Sequence, residues 1–249
     1  MTTPRRVLLE PAFLLHQQPW RDSSRIVELL TRDHGRVTLF AKGVRRRGSA
    51  LGALLQPFVP LAVSWSGSGD GGTLTGAEPL GAPVAVAAGC LLSGFYLNEL
   101  VLKLLARVDP HPDVFEAYGL ALRGLVAPAA EHRSLRLFEK RLLESLGLGL
   151  DYAHLAADGA RVESERYYHV DPARGVVRPA DRADAPGAYR GADLLELAAE
   201  RLDGTASLAA ARHLLAAALD AALDGREIES RRVARAVRRA RAGKEEHGS

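Results

Sequence analysis

The 249-residue chain is 47% hydrophobic and 25% charged, with a formal net charge of +3, and this composition is that of a folded globular protein rather than a disordered one. A single cysteine, Cys90, excludes an intramolecular disulfide framework and any zinc site built from several thiolates. Uninterrupted apolar runs stay shorter than the roughly 20 residues of a membrane span, and the N-terminus lacks a secretory apolar core, so we expect a soluble cytoplasmic protein.

The first eighty residues alternate short apolar runs with turn-forming residues. Five such runs predict strands: 7–16, 25–30, 36–41, 58–65 and 73–77. Short strands separated by turns rich in Gly, Pro and Asp are typical of a small closed barrel or a sandwich. The junction Asp33-His34-Gly35 predicts a tight hairpin.

Helical spacing of apolar residues replaces this pattern after Pro83. Residues 150–186 are irregular, with a possible short β-ribbon at 166–170, and residues 244–249 are expected to form a disordered tail. Buried Cys90 is expected to be an ordinary core residue. The predicted helices are 91–105, 113–125, 135–146, 194–202, 208–223 and a basic one at 228–241.

Charge is distributed unevenly along the chain. Residues 1–80 hold ten Lys/Arg against six Asp/Glu, residues 81–200 thirteen against seventeen, and residues 201–249 ten against seven. Basic ends suggest contact with a polyanion, although a solvated surface has the same composition. Four cations, Lys42 and Arg45 to Arg47, fall on what should be a mobile loop between strands. Trp20 and Phe40 are the aromatic residues that we expect to be exposed, whereas Phe58 and Trp65 suit a core.

Motifs for catalysis or cofactor binding are weak. Residues 67–72 formally match G-x-G-x-x-G, but a strand-like segment follows where a dinucleotide site needs a helix, so we interpret them as a hairpin loop. Asp109, His111 and Asp113 could hold a metal, but a turn in which Asp caps the next helix is the simpler interpretation. The same holds for His169-Val170-Asp171. We therefore predict no catalytic residue, no metal and no cofactor.

Several segments resemble, in order along the chain, the RecO family of recombination mediators. The resemblance lies in Pro19-Trp20-Arg21-Asp22-Ser23-Ser24, Thr31-Arg32-Asp33-His34-Gly35-Arg36-Val37, Ala41-Lys42-Gly43-Val44-Arg45, Leu55-Gln56-Pro57-Phe58, Gly94-Phe95-Tyr96-Leu97-Asn98-Glu99, Leu135-Arg136-Leu137-Phe138-Glu139 and Gly225-Arg226 through Ser230-Arg231.

This resemblance implies an α+β multi-domain protein, with a five-stranded OB-fold barrel over residues 1–80 and a mainly α-helical domain over 81–243. It implies binding to single- and double-stranded DNA and annealing of complementary strands. It also implies replacement of single-strand-binding protein by the RecA recombinase together with RecR, and capture of the acidic C-terminal tail of single-strand-binding protein. Many members carry a four-cysteine zinc module that this chain lacks, so a zinc-free variant is implied.

We predict two sets of binding residues. Arginine and lysine suit phosphate oxygens, and the residues expected to contact DNA are Arg21, Arg25, Arg36, Lys42, Arg45, Arg46 and Arg47. A cation beside an apolar groove suits the acidic tail, and the residues expected there are Arg136 and Lys140, with Arg123 and Arg133 less firmly. Two alternatives stay open: a protein–protein adaptor whose barrel binds little DNA, and an undetected nuclease or other hydrolase.

Overall fold

A computed structural model gives the structure of the chain and describes residues 5–68, 71–171, 177–180, 182, 185 and 187–246. It divides into two compact units. Residues up to Pro128 and those from Glu227 onward form the first unit, and Ala129–Arg226 forms the second. The sequence analysis placed a domain boundary near residue 80, between the barrel and the helices that follow it. The first unit contains the barrel together with some of those helices.

A closed five-stranded barrel forms the N-terminal part of the first unit. Its strands follow the order β1-β2-β3-β5-β4, and the parallel pairing of β3 with β5 closes it, while the other pairs are antiparallel. This is the five-stranded OB-fold. The strands are β1 (Arg5–Trp20), β2 (Ser24–Thr31), β3 (Arg36–Ala41), β4 (Pro60–Ser68) and β5 (Gly71–Pro79).

Strand β1 is longer than its apolar run predicted because it pairs with two neighbouring strands. Its first part pairs with β4 and its second part with β2, and each pairing contains a register shift that bends the strand. Alternating side chains point into the barrel, where they are shielded from water and supply most of its stability. This core includes Leu14, Val27, Leu29, Leu39, Leu61, Val63 and Leu74.

The two predicted tight connections are confirmed. Between β2 and β3, the Thr31 amide donates to the Gly35 carbonyl at 2.9 Å, and the Thr31 hydroxyl donates to the same oxygen at 2.6 Å. The glycine-rich segment joins β4 directly to β5, so it is a hairpin loop and not the start of a helix. Gly69 and Asp70 lie outside the described residues.

A short helix, α1 (Ala50–Leu54), interrupts the β3–β4 connection. The Ser49 hydroxyl accepts a hydrogen bond from the Gly52 amide at 3.1 Å and caps the helix. The sequence analysis missed this helix because five residues are too few to show an apolar period.

Three further helices complete the first unit: α2 (Leu91–Leu104), α3 (Pro112–Gly124) and, from the C-terminal segment, α7 (Glu229–Glu246). The buried Asn98 amide joins α2 to the barrel by donating to the Leu15 carbonyl at 2.8 Å, and it joins α2 to α3 by accepting from the Tyr118 hydroxyl at 2.5 Å. Burial raises the pKa of Tyr118, so the phenol stays a neutral donor. Cys90 is buried, as predicted.

The prediction that an Asp caps the start of α3 was wrong. His111 is the N-cap residue of α3 and its side chain makes no capping bond, because Pro112 begins the helix and places Asp113 inside the first turn. Helix α7 spans Glu229–Glu246, so its end overlaps the segment for which a disordered tail is expected. The rest of that predicted tail, residues 247–249, lies outside the described residues.

The second unit contains α4 (Glu131–Ser145), α5 (Gly191–Ala198) and α6 (Thr205–Leu223). The predicted β-ribbon is confirmed as the centre of a small sheet of order β7-β6-β8, made of β6 (Tyr167–Val170), β7 (Val177–Pro179) and β8 (Ala188–Arg190). Helix α6 is long and apolar enough to cross a membrane by composition alone. It packs against α4 and α5 and buries Leu214, Leu215 and Leu219, as a core helix does.

Candidate nucleic-acid interface

The loop that follows β3, residues 42–48, is joined to the barrel by a buried side chain and by backbone hydrogen bonds. Val44 is 4% exposed and belongs to the barrel core. The Arg45 amide donates to the Ser23 carbonyl at 2.9 Å, and the Arg46 amide donates to the Gly43 carbonyl at 3.1 Å. These two bonds use backbone groups only, so they position the loop without engaging its guanidinium or ammonium groups.

The same loop is tied to the turn between β1 and β2. The Arg45 guanidinium donates to the Arg21 carbonyl at 3.2 Å, and Arg21 itself lies in the left-handed region with φ of 50°. Backbone contacts therefore bring together two segments that are more than twenty residues apart in the chain. A hydrogen bond to a main-chain carbonyl leaves no trace in residue types, so the sequence could not show this link.

Six predicted DNA-contacting residues share this end of the barrel, and we call them the basic patch. All except Arg25 are exposed, and the Arg25 guanidinium donates to a neutral acceptor, the Gln17 amide oxygen, at 3.0 Å. Across the described residues, the salt bridges found involve none of the six. Their charge is thus available to an outside anion. The basic patch consists of Arg21, Arg25, Lys42, Arg45, Arg46 and Arg47.

Arg36, the seventh predicted residue, is placed differently. Its guanidinium donates to the Leu102 carbonyl at 2.7 Å, its side chain is 15% exposed, and it lies 4.0 Å from the Glu28 carboxylate. Burial lowers the pKa of Arg36 more than Glu28 raises it, and the Arg107 charge lowers it further. Arg107 also binds Glu28 at 2.6 Å. This geometry favours a structural role for Arg36, joining β3 to the end of α2.

Two aromatic side chains lie beside the basic patch in the chain. Trp20 is 43% exposed and Phe40 is 38% exposed, and their ring centroids are 6.0 Å apart. Phe58 and Trp65 are 6% and 7% exposed and belong to the interior. The expectation that the first pair is exposed and the second buried is confirmed.

An apolar pocket of about 690 Å³ lies between the barrel and α3, within the first unit. Arg123, one of the residues predicted to bind the acidic tail, lines this pocket and is exposed. Arg32 also lines it, and its guanidinium lies 3.5 Å from the Glu116 carboxylate. The apolar walls include Pro11, Phe13, Pro60, Leu80, Phe115 and Val126.

The other predicted tail-binding residues lie on α4 in the second unit, where carboxylates already pair with them. Arg136 is 12% exposed and binds Glu139 at 2.5 Å. Lys140 is 10% exposed and lies 2.7 Å from Glu144 and 3.3 Å from Glu200. Arg133 is the most accessible, at 44%, and lies 3.6 Å from Asp203. The α4 cations are thus balanced by neighbouring acids. Glu139 and Glu144 follow their partners at helical spacing, a signal that the sequence analysis did not use, whereas Glu200 reaches Lys140 only through the fold.

No group of three or more His, Cys, Asp or Glu side chains is arranged to hold a metal in the part of the chain that the structure describes. His111 lies 3.3 Å from Asp109, and the pair is accounted for by the turn before α3. The residues around β6 likewise form part of the small sheet.

Comparison with known proteins gives the family directly. Recombination protein O N terminal matches residues 6–83, and Recombination protein O C terminal matches residues 90–232. Proteins named DNA repair protein RecO are similar over nearly the whole chain. The one from Methylococcus capsulatus is 40% identical over 93% of this chain and 95% of its own length.

Two further relatives agree with this assignment. The DNA repair protein RecO of Nitrosococcus oceani is 41% identical over 94% of this chain and 95% of its own. That of Alkalilimnicola ehrlichii is 42% identical over 94% and 93%. With a closed OB-fold barrel at the N-terminus and helices after it, the chain belongs to the RecO family of DNA repair and recombination proteins.

Proposed function

We propose that this protein binds single- and double-stranded DNA through the basic patch, without reading sequence, and thereby promotes annealing of complementary strands. The observation that carries the proposal is the joining of two turns by the Arg45–Ser23 and Arg45–Arg21 hydrogen bonds. This joining collects six cations that no described carboxylate neutralises. No step in the proposal consumes a nucleotide or needs a catalytic residue or cofactor.

Electrostatics explains why such a patch suits DNA of any sequence. Arginine and lysine bind phosphate oxygens, which are the same at every nucleotide, and each neutralised phosphate releases condensed counterions. Affinity then falls steeply with salt. Two complementary strands repel each other, and a protein that neutralises part of their charge lowers the cost of bringing them together.

The triple change Arg45→Ala/Arg46→Ala/Arg47→Ala tests this proposal. We expect affinity to fall for all sequences alike, and the slope of log affinity against log salt to become shallower by up to about 2 on single strands, at about 0.7 per lost contact. Fluorescence anisotropy with labelled oligonucleotides over a salt series measures both quantities.

A matched control removes the same charge elsewhere. Arg161, Arg201 and Arg212 are exposed residues of the second unit, and their triple Ala variant has the same net charge as the test variant. We expect it to retain the affinity and salt slope of the unaltered protein. Equal losses in both triples would show that total charge, and not the basic patch, governs binding.

We further propose that the protein acts with single-strand-binding protein, RecR and, indirectly, RecA, as the resemblance to the RecO family implies. Recognition of an acidic, apolar tail needs a cation beside an apolar groove. Arg123 supports this proposal best, because it lines the apolar pocket, while Arg136 and Lys140 are engaged by acids on α4 and α5–α6.

Charge-reversal variants distinguish the two candidate sites for the acidic tail of single-strand-binding protein, the apolar pocket and helix α4. If the pocket binds it, Arg123→Glu lowers affinity for the synthetic tail peptide about tenfold or more, and Arg136→Glu changes it little. The opposite ranking would assign the tail to α4. Isothermal titration of the peptide into each variant measures the affinities, with Arg212→Glu on α6 as the charge-matched control.

The competing proposal is a protein adaptor whose barrel binds little DNA. Titration of naked DNA at graded salt decides between them, since an adaptor would bind only at the lowest ionic strengths. Incubation with labelled DNA and Mg²⁺ or Mn²⁺ would reveal any nuclease. Annealing of strands coated with single-strand-binding protein, with and without its tail, tests the wider role.

A further inference from the structure

The outer surface of the barrel carries an exposed aromatic pair, Trp20 and Phe40, that the core does not use. Their rings are tilted by 55° with centroids 6.0 Å apart, so they contact each other yet keep 43% and 38% of their surface in water. Paired aromatic side chains on a surface offer large, rigid apolar faces to a ligand.

Strand register explains why the two rings meet. Trp20 pairs with Ser24 across β1–β2, and Phe40 pairs with Ile26 across β2–β3. Ser24 and Ile26 are two residues apart on β2 and therefore face the same side of the sheet. The neighbours of Phe40, Leu39 and Ala41, are buried in the barrel, which places Phe40 on the outside.

The aromatic pair adjoins the basic patch on both strands. Trp20 immediately precedes Arg21, and Phe40 is separated from Lys42 only by Ala41. Because the Arg45 amide and guanidinium hold the 42–48 loop against the β1–β2 turn, both cationic segments leave the barrel next to the two rings. Apolar ring faces and phosphate-binding groups thus lie side by side on one end of the sheet.

We propose that Trp20 and Phe40 form a stacking platform for unpaired bases, so that the barrel prefers single-stranded over double-stranded DNA. This inference rests on the proposed function and specifies its ligand. A single strand can turn its bases onto the rings while its phosphates remain at the basic patch. In a duplex the bases are paired and stacked on each other, so only the phosphates reach the protein.

The separation of the rings also indicates how a base binds. Because the two rings already contact each other, a base stacks on the exposed side of the pair rather than between them. Every base has an aromatic face, so the platform adds affinity without adding sequence preference.

Three ligands of equal length separate stacking from phosphate binding: an oligothymidylate, an abasic oligonucleotide with the same number of phosphates, and a duplex. We expect Trp20→Ala to lower affinity for the oligothymidylate about tenfold, the usual scale for one stacked base. Affinity for the abasic strand and the duplex should change less than about twofold, and the salt slope should stay the same. Trp20→Phe should restore most of the loss.

Tryptophan fluorescence gives a second readout that leaves the platform unaltered. The chain has two tryptophans, and Trp65 is 7% exposed, so in a Trp65→Phe protein the emission comes from Trp20 alone. Stacking of a base quenches this emission. We expect quenching by the oligothymidylate at saturation and little by the abasic strand.

The stacking platform would be contradicted if Trp20→Ala lost the same affinity for all three ligands. Equal quenching by the oligothymidylate and the abasic strand would contradict it as well. In either case the Arg45–Arg47 triple variant still tests the basic patch, since it should weaken all three ligands together. If the unaltered protein bound none of them, the proposed function would fail and the platform with it.

Discussion

At the scale of single residues, Gly35 shows how the barrel constrains its sequence. Gly35 lies at the β2–β3 turn with φ of 67°, and a Cβ atom there would fall 2.2 Å from the Asp109 carbonyl oxygen. Neither the backbone angle nor the space allows a side chain. We expect Gly35→Ala to lower the free energy of unfolding by more than about 2 kcal/mol, since strain and overlap add.

Gly48 provides the control because it shares only one of these properties. It lies at the end of the 42–48 loop with φ of 78°, and no heavy atom lies within 4 Å of its hypothetical Cβ. Gly48→Ala should therefore cost about 1 kcal/mol, the backbone part alone. Urea denaturation of both variants measures the difference, and equal midpoints would show that the contact with Asp109 gives way without cost.

At the scale of elements, the carboxylate of Glu99 on α2 holds the N-terminus of α7. Its two oxygens accept hydrogen bonds from the Glu229 and Ser230 amides at 2.7 and 2.9 Å, and from the Ser230 hydroxyl at 2.8 Å. These amides have no partner inside the helix, and the helix dipole favours a negative charge there. Arg231 adds a contact with Tyr96, 5.3 Å above its ring.

This cap predicts a pH dependence for α7. Burial raises the pKa of Glu99, but the bonds from Ser230 and Glu229 and the nearby Lys103 outweigh it, so its pKa lies below the ordinary 4.5. A carboxylate with a depressed pKa stabilises the fold above its unfolded-state pKa, and the effect is lost as pH falls through the folded-state value. The protection of the α7 amides, measured by hydrogen exchange relative to the intrinsic rate at each pH, should therefore fall in acid, below about pH 4.5.

Replacement of the carboxylate tests the same cap at neutral pH. Glu99→Gln should reduce protection of the α7 amides by about 1 kcal/mol and remove the acid dependence, as loss of a capping group does. Glu116→Gln on α3, an exposed carboxylate 60% accessible, is the control and should leave α7 unaffected. Unchanged exchange in Glu99→Gln would mean that packing alone holds the helix.

The sequence predicted the strands and helices better than it predicted the contacts between them. Strong apolar patterns predicted all five barrel strands and the long helices, because burial imposes a period on the residues involved. Of the small sheet, only the central strand β6 was expected. The short helix α1 and the cap of α7 left no such signal. In the basic patch, residue types gave the cations, but only the fold separated Arg36, which is bound to the Leu102 carbonyl, from Arg45 and its exposed neighbours.

At the scale of the whole molecule, the charges that are unevenly spread along the sequence differ in how they are paired in the two units. The basic patch belongs to the barrel, while the acidic middle segment supplies the carboxylates that neutralise Arg136, Lys140 and Arg141 within the second unit. This distribution explains why a net charge of +3 is compatible with a strongly cationic patch on the barrel.

The proposed annealing of complementary strands would need charge neutralisation on both strands, and α7 carries further cations in the first unit. Arg232 is engaged by Glu229 at 2.6 Å, whereas Arg235 and Arg239 are exposed, one helical turn apart on the same face. We expect Arg235→Ala/Arg239→Ala to slow annealing of complementary strands several-fold, while affinity for one single strand changes less than about twofold because the basic patch remains. Arg201→Ala/Arg212→Ala, of equal charge, should anneal normally. Strand pairing followed by energy transfer between end labels measures the rate, and a normal rate in the α7 variant would mean that the barrel surface alone serves both strands.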